Sequence, residues 1–276
     1  MEELGDWQFN LDQLHHDFTT ATPYPSIIIP NFIEQDFFRQ LVREFPSIHE
    51  PGWHHYHNPI EKKYAREDVH RSPGVNRLFQ IFQSDEFITM IRHITGIDNL
   101  ENDPHLHGAG LHAHPREGKL DMHLDYSIHP ITGKERRVNI IYFLNELWLP
   151  EWGGALELWN AEFTQCEREI LPVGNTAAMF QTSDISWHGL PKPINCPADP
   201  RICRQSAAIY YVSDPRPIAT HRLKAEFRPL PDQPAPSGLM NLYQIRPTRR
   251  LTPGDIIQQL GRQWETADIG RGYWFI

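Results

Sequence analysis

In LDMHLDYSIHP, residues 120–130, His123 and Asp125 stand two residues apart in a run that alternates apolar and polar side chains. In a β-strand, residues i and i+2 share a face and lie roughly 6.5–7 Å apart along the chain. Leu120, Met122 and Leu124 are therefore expected on one side, and Asp121, His123 and Asp125 on the other. An imidazole and a carboxylate on one face supply two donors of a mixed nitrogen–oxygen metal site. Ferrous iron accepts two histidines and one carboxylate on one face of an octahedron, which leaves three positions open. Alone, H-x-D is a weak signal, and a third ligand has to come from a distant strand. SDISWHGLPKPI offers His188, at the end of a strand-like run, where the competing reading is a buried histidine bonded to backbone.

RICRQSAAIYYVSD places Arg204, Ser206, Ala208 and Tyr210 on one face of an apolar strand. An arginine facing an interior is costly unless it meets an anion. Its planar fork suits a carboxylate held through two hydrogen bonds. A small dicarboxylate could thus be gripped at its far end by Arg204, with Ser206 adding a hydroxyl, while its near end chelates the metal. Arg201 competes for this role but sits before the strand, beside a proline.

Other histidines are rivals. HLHGAGLHAHPREG holds the pairs His105/His107 and His112/His114, with Glu117 following. His15 and Asp17 also match H-x-D, in an acidic stretch without strand alternation.

The elements that would carry these groups can be read around them. The stretch 106–214 contains strand-like runs near 107–114, 119–125, 137–145, 154–160, 167–182, 185–190 and 203–213. RVNIIYFLN is almost continuously apolar and is expected as a central strand buried on both faces. Many short strands at this spacing suggest a sandwich or jelly roll. Helices are prominent before residue 100. Asn31 with Glu34 has capping-box spacing ahead of a helix closed by Pro46, and Ser84 and Gly96 bracket a second helix. The segment 51–73 has no clean period and is expected as a solvated surface loop, with a lid over an active site as the rarer alternative. After 214, Pro215, Pro217, Pro229, Pro231, Pro234 and Pro236 suggest an extended connector, followed by a helix over 253–265 with Thr252 as its cap.

Composition sets bounds. The 276 residues suit one large domain with appendages, here a domain over 1–214 (helical over 1–100, with a strand-rich core over 100–214) and an extension over 215–276. A formal net charge of −9 argues against nonspecific binding to nucleic acid or to an anionic membrane. Cys166, Cys196 and Cys203 show no disulfide or zinc pattern, and MEELGDWQFN lacks the order of a signal peptide, so reduced thiols in a cytoplasm are expected.

The order His123-x-Asp125, His188, Arg204, together with GAGLHAH, RRVNIIYFLNELW, EWGGALELW and RQSAAIYYVSD, resembles the iron(II)/2-oxoglutarate-dependent dioxygenases. Within them it is most similar to the prolyl-4-hydroxylase-like group, over roughly 100–214. The resemblance implies a mainly β fold with helices, a double-stranded β-helix (jelly roll) braced by the N-terminal helices. It implies His123, Asp125 and His188 as iron ligands, Arg204 as partner of the distal carboxylate, and Ser206 as a weaker cosubstrate contact. The implied cofactors are Fe(II), 2-oxoglutarate as cosubstrate and O2, with ascorbate as an optional accessory. The implied reaction is hydroxylation of an unactivated C–H bond of a prolyl residue, amino acid or small metabolite, with release of succinate and CO2. Substrate contacts are expected at Tyr126, His129, Trp187 and the 51–73 segment. Two alternatives differ in class. GLHAHPREG is similar to a cupin metal motif, with His112, His114 and Glu117 as ligands and no 2-oxoglutarate. A non-catalytic jelly-roll binding module is the other.

Overall fold

The computed structural model describes residues 1–199 and 201–261. Its helices are α1 (Leu11–Thr20), α2 (Gln35–Glu44), α3 (Pro73–Phe82), α4 (Asp85–Thr95), α5 (Ser237–Ile245) and α6 (Pro253–Leu260). Its strands are β1 (Ser26–Pro30), β2 (His54–His57), β3 (Glu61–Arg66), β4 (Glu101–Asn102), β5 (Gly110–His114), β6 (Lys119–Leu124), β7 (Glu135–Phe143), β8 (Leu156–Trp159), β9 (Cys166–Ile170), β10 (Thr176–Gln181), β11 (His188–Leu190), β12 (Arg204–Ser213) and β13 (Glu226–Phe227).

All strand pairings are antiparallel, in the order β1-β10-β7-β12-β5-β3-β6-β11-β8-β9. The sheet folds back on itself. Leu156, Leu158 and Ile170 of β8 and β9 pack against Phe143, Ala178 and Phe180 of β7 and β10, at the far end of the strand order. The result is a jelly roll, with a larger layer β10-β7-β12-β5 facing a smaller layer β6-β11-β8-β9, and β3 bridging the two.

Strand alternation decides which side chains enter this interior. On β7, Val138, Ile140 and Tyr142 join the outer core with the helices, whereas Phe143 points inward. RVNIIYFLN is thus buried on both faces, as its composition predicts. Phe79, Phe82, Phe87 and Ile91 of α3 and α4 fill the outer core against β12 and β7, so the helices brace the larger layer. Ser84 caps α4, accepting a hydrogen bond from the Phe87 amide, and Gly96 closes the helix in the left-handed conformation.

Several local expectations are corrected. The cap of α2 is Glu34, whose carboxylate accepts from the Asp36 and Phe37 amides, while Asn31 turns the chain with φ 48°. A carboxylate three residues on can itself take the cap when the chain reverses at an asparagine, a residue tolerant of that conformation. The 51–73 segment is not a loop: β2 and β3 form a hairpin, and β3 joins β5 to β6. Its polar composition hid this because β3, between β5 and β6, turns Glu61 and Lys63 toward the interior in place of apolar side chains. The 167–182 run is two strands, β9 and β10, separated by a turn with Asn175 at φ 56°.

The proline-rich stretch ends in structure that packs on the barrel. β13 pairs with β6 at Leu124 and His123, and α5 and α6 bury Leu242, Tyr243 and Ile256 against Phe227 and Ile60. The α5 helix is absent from the sequence expectations. Thr252 and Asp255 form a reciprocal capping box at α6. Residues 262–265 of the expected helix, including Trp264, lie outside the described residues.

Candidate metal and cosubstrate site

His123 and His188 meet because β6 and β11 are paired neighbours in which these two residues are directly opposite. Their ring centroids are 4.3 Å apart. Each Nδ1 lies against a backbone carbonyl, of Asp121 at 2.9 Å for His123 and of Ser186 at 2.8 Å for His188. A carbonyl only accepts, so the proton sits on Nδ1 and the Nε2 lone pair is left to face inward. Each Nε2 lies 3.7 Å from an oxygen of Asp125, His123 toward Oδ1 and His188 toward Oδ2. The three donor atoms fall within 4.8 Å of one another, all on buried residues, and no other such metal-competent group occurs among the described residues. Two lone pairs and a carboxylate converging on one point, with no proton between them, suit a divalent cation.

Asp121 does not share this face in the way strict alternation predicts. Between Leu120↔Leu190 and His123↔His188, β6 carries one residue more than β11. This bulge turns the Asp121 carboxylate to Lys119 (2.8 Å) and to the Tyr243 hydroxyl.

Burial alone would raise the Asp125 pKa, but Arg136, His188 and His123 outweigh it and hold the carboxyl well below its usual range. Arg136 Nη1 is 3.2 Å from Oδ1, and Asn139 Nδ2 donates to Oδ2 at 3.3 Å. Arg136 is itself clamped between the faces of Tyr126 and Tyr210, at 3.5 and 3.4 Å from their centroids. Burial, and then His188, lower the His123 pKa to about 3, which keeps the imidazole neutral and able to ligate.

At the opposite end of the interior, Arg204 is 3 % exposed. Its Nε donates to the Gly154 carbonyl at 2.8 Å, and its guanidinium lies over Phe143 at 4.9 Å. No protein carboxylate meets it among the described residues, and burial lowers its pKa to about 10. Ser206 is buried one pleat on, opposite Phe143 and His112. His114, opposite Arg204, is buried with neither ring nitrogen bonded. An unpaired buried guanidinium beside free imidazole nitrogens fits a carboxylate ligand. Both halves of the interior therefore fit their implied occupants, a divalent metal and a diacid.

The rival readings fare differently. Arg201 is exposed and paired with Asp199 at 2.7 Å, away from the interior. The cupin set does not assemble, because Glu117 is an exposed partner of Lys62. His15 lies on α1 with its Nδ1 near the Ile94 carbonyl. His129 is fully buried beside Asp103 (3.2 Å), and Trp187 packs with Phe163 and Arg228. Both are built into the structure rather than presented to a substrate.

Sequence reasoning missed Arg136 and Lys63. Two adjacent arginines opening a buried strand, Arg136 and Arg137, were the available signal.

Residues 109–212 match the family model described as the 2OG-Fe(II) oxygenase superfamily. The chain carries a region of this superfamily over those residues. As an oxygenase of this kind it is a 2-oxoglutarate-dependent dioxygenase, and the superfamily's cofactors are Fe(II), 2-oxoglutarate and O2. No curated protein matches the oxygenase. Its fold is similar to a prolyl-4-hydroxylase from Pseudomonas putida, with TM-score 0.55 and 18% identity, over 75% of this chain and 100% of that one. It is also similar to a prolyl hydroxylase from Trichoplax adhaerens in complex with a hypoxia inducible factor oxygen degradation domain peptide fragment. There the TM-score is 0.56 and the identity 16%, over 76% of this chain and 94% of that one. Among the described residues no helix is long and apolar enough to cross a membrane.

Proposed function

We propose that this oxygenase hydroxylates an unactivated C–H bond of a prolyl residue, an amino acid or another small metabolite. His123, Asp125 and His188 would hold ferrous iron, Arg204 the far carboxylate of 2-oxoglutarate, and Ser206 would add a hydrogen bond to it. Bound together, iron, 2-oxoglutarate and O2 supply an oxidative decarboxylation, to succinate and CO2, that drives the hydroxylation. The observation that carries this reading is the pairing of two unprotonated Nε2 atoms and a carboxylate with an unpaired buried guanidinium in one interior.

The chain's own residues contribute position and charge. The carbonyls of Asp121 and Ser186 fix the tautomer and orientation of the two imidazoles. Arg136 and Asn139 keep Asp125 ionised and hold its plane. Phe143, Leu156 and Leu158 line an apolar interior that excludes water from the cosubstrate. The Trichoplax protein's peptide complex supports keeping a peptidyl substrate beside a small molecule.

Anaerobic titration with Fe(II) and 2-oxoglutarate tests the reading. A visible charge-transfer band is expected, and it should vanish in Asp125→Ala. Mass spectrometry should then find a substrate gaining one oxygen in a 2-oxoglutarate-dependent manner. Absence of the band in the unmodified protein would favour a binding module.

A further inference from the structure

Lys63 lies on β3 two residues before Ala65, which pairs with His112 of β5, so strand alternation turns Lys63 and His112 to the same inner face. The Lys63 side chain is 15% exposed. Its charge acts on His112, His114 and His123, and the negative charge of Asp125 acts on it in turn. The ammonium therefore stands in the wall of the site, within electrostatic reach of the metal ligands. Among the described residues its closest anion is Glu61 Oε2 at 3.7 Å, beyond ordinary hydrogen-bond distance. Glu61 is shared with Arg246, whose Nε is 3.1 Å from Oε1. The Lys63 ammonium lies over the ring of Tyr56, 5.2 Å from its centroid.

Charge around this interior is not balanced. Among the described residues Asp125 and Glu61 are its two acids, against Lys63, Arg136, Arg204 and Arg246. Asp121 is matched by Lys119. A divalent metal and a dianionic cosubstrate cancel each other, so two positive charges remain in the occupied site of a chain whose net charge is −9. Such a field favours a negatively charged ligand.

We propose that Lys63 is a specificity-determining residue that binds an anionic group on the substrate, so that the substrate is an acid rather than a neutral or cationic molecule. This rests on the oxygenase reading above. Arg204 is occupied by the cosubstrate in that reading, Arg136 by Asp125 and Arg246 by Glu61, which leaves Lys63, among the described residues, as the cation of the wall with no anion closer than 3.7 Å.

A weakly coordinating anion separates this from metal binding. The Co(II)·2-oxoglutarate form of the full chain is titrated with methanesulfonate and, separately, with its neutral isostere dimethyl sulfone, following paramagnetic broadening of the methyl signals. Methanesulfonate should bind roughly tenfold more tightly, the scale of one hydrogen bond to a charged group. Lys63→Met should abolish the difference and Lys63→Arg should keep it. Each variant should retain the anaerobic Fe(II)·2-oxoglutarate band, with Lys63→Gln replacing Lys63→Met if the latter does not fold. Equal broadening by both probes, or a preference that survives Lys63→Met, would overturn the inference while the band persists. Loss of the band in the unmodified protein would instead overturn the oxygenase reading, and the inference with it.

Discussion

Phe227 of β13 stacks on the imidazole of His123, with ring centroids 4.9 Å apart and planes within 25°. The contact joins a residue of the C-terminal extension to one of the three converging donors. The Arg246 guanidinium also lies over the Phe227 ring, 5.1 Å from its centroid, and Tyr243 bonds Asp121 two residues before His123. The extension thus forms one wall of the site.

Phe227→Ala should therefore act on both folding and metal binding. Removing a buried phenylalanine costs about 3–5 kcal/mol of stability. Loss of an outer contact to a ligating histidine weakens metal affinity by roughly 10–100-fold. Urea unfolding and Co(II) titration measure the two separately. Phe227→Leu should recover most of the stability and less of the affinity, because a branched aliphatic chain fills volume without stacking.

Arg136→Gln should leave Asp125 buried with Asn139 as its remaining side-chain partner. Breaking a buried ion pair from one side costs about 3–5 kcal/mol. The loss should be smaller when metal is bound, since the cation replaces the lost charge. Thermal melts of the metal-free and Co(II)-loaded variant, compared with the parent, read that difference. Equal destabilisation in both forms would contradict the role assigned to the pair.

The metal-free protein should lose stability as pH falls below about 6.5, the ordinary histidine value. Burial, then Lys63 and Arg204, lower the His112 pKa to about 3, and burial with Arg204 lowers His114 in the same direction. A histidine depressed in the fold is neutral there, while the unfolded chain takes up a proton. Its stabilising contribution is full above the unfolded value and is lost as pH falls toward the folded one. Urea midpoints at pH 7.5, 6.5 and 5.5 should decline, and His114→Phe should flatten the decline.

Arg204→Met should weaken 2-oxoglutarate binding by roughly 10–150-fold, the range of a hydrogen bond to a charged group. Arg204→Lys should recover only some of it, since an ammonium lacks the fork. Gly154→Ala gives a subtler test. Gly154 has φ +80°, its carbonyl accepts from Arg204 Nε, and an added Cβ would come within 3.4 Å of Arg204 Cδ and 3.3 Å of Trp148. That variant should weaken the cosubstrate and leave Co(II) affinity unchanged, as calorimetry with each ligand would show.

Local chemistry made much of this molecule legible. His123, Asp125, His188 and Arg204 could be picked out because imidazole, carboxylate and guanidinium are costly in an apolar strand without a partner. The two-residue period likewise turned Phe143 inward and Tyr142 outward. Such properties belong to a residue and its near neighbours, so the sequence alone determined the strand-rich core and the identities of the candidate ligands. Tertiary structure decided what those groups touch. The bulge that diverts Asp121, the clamp of Tyr126 and Tyr210 on Arg136, the placing of Lys63 by β3, and the stacking of Phe227 on His123 all join elements distant in the chain. Their energies depend on register and packing between strands, and no periodicity within one segment encodes a contact made with another.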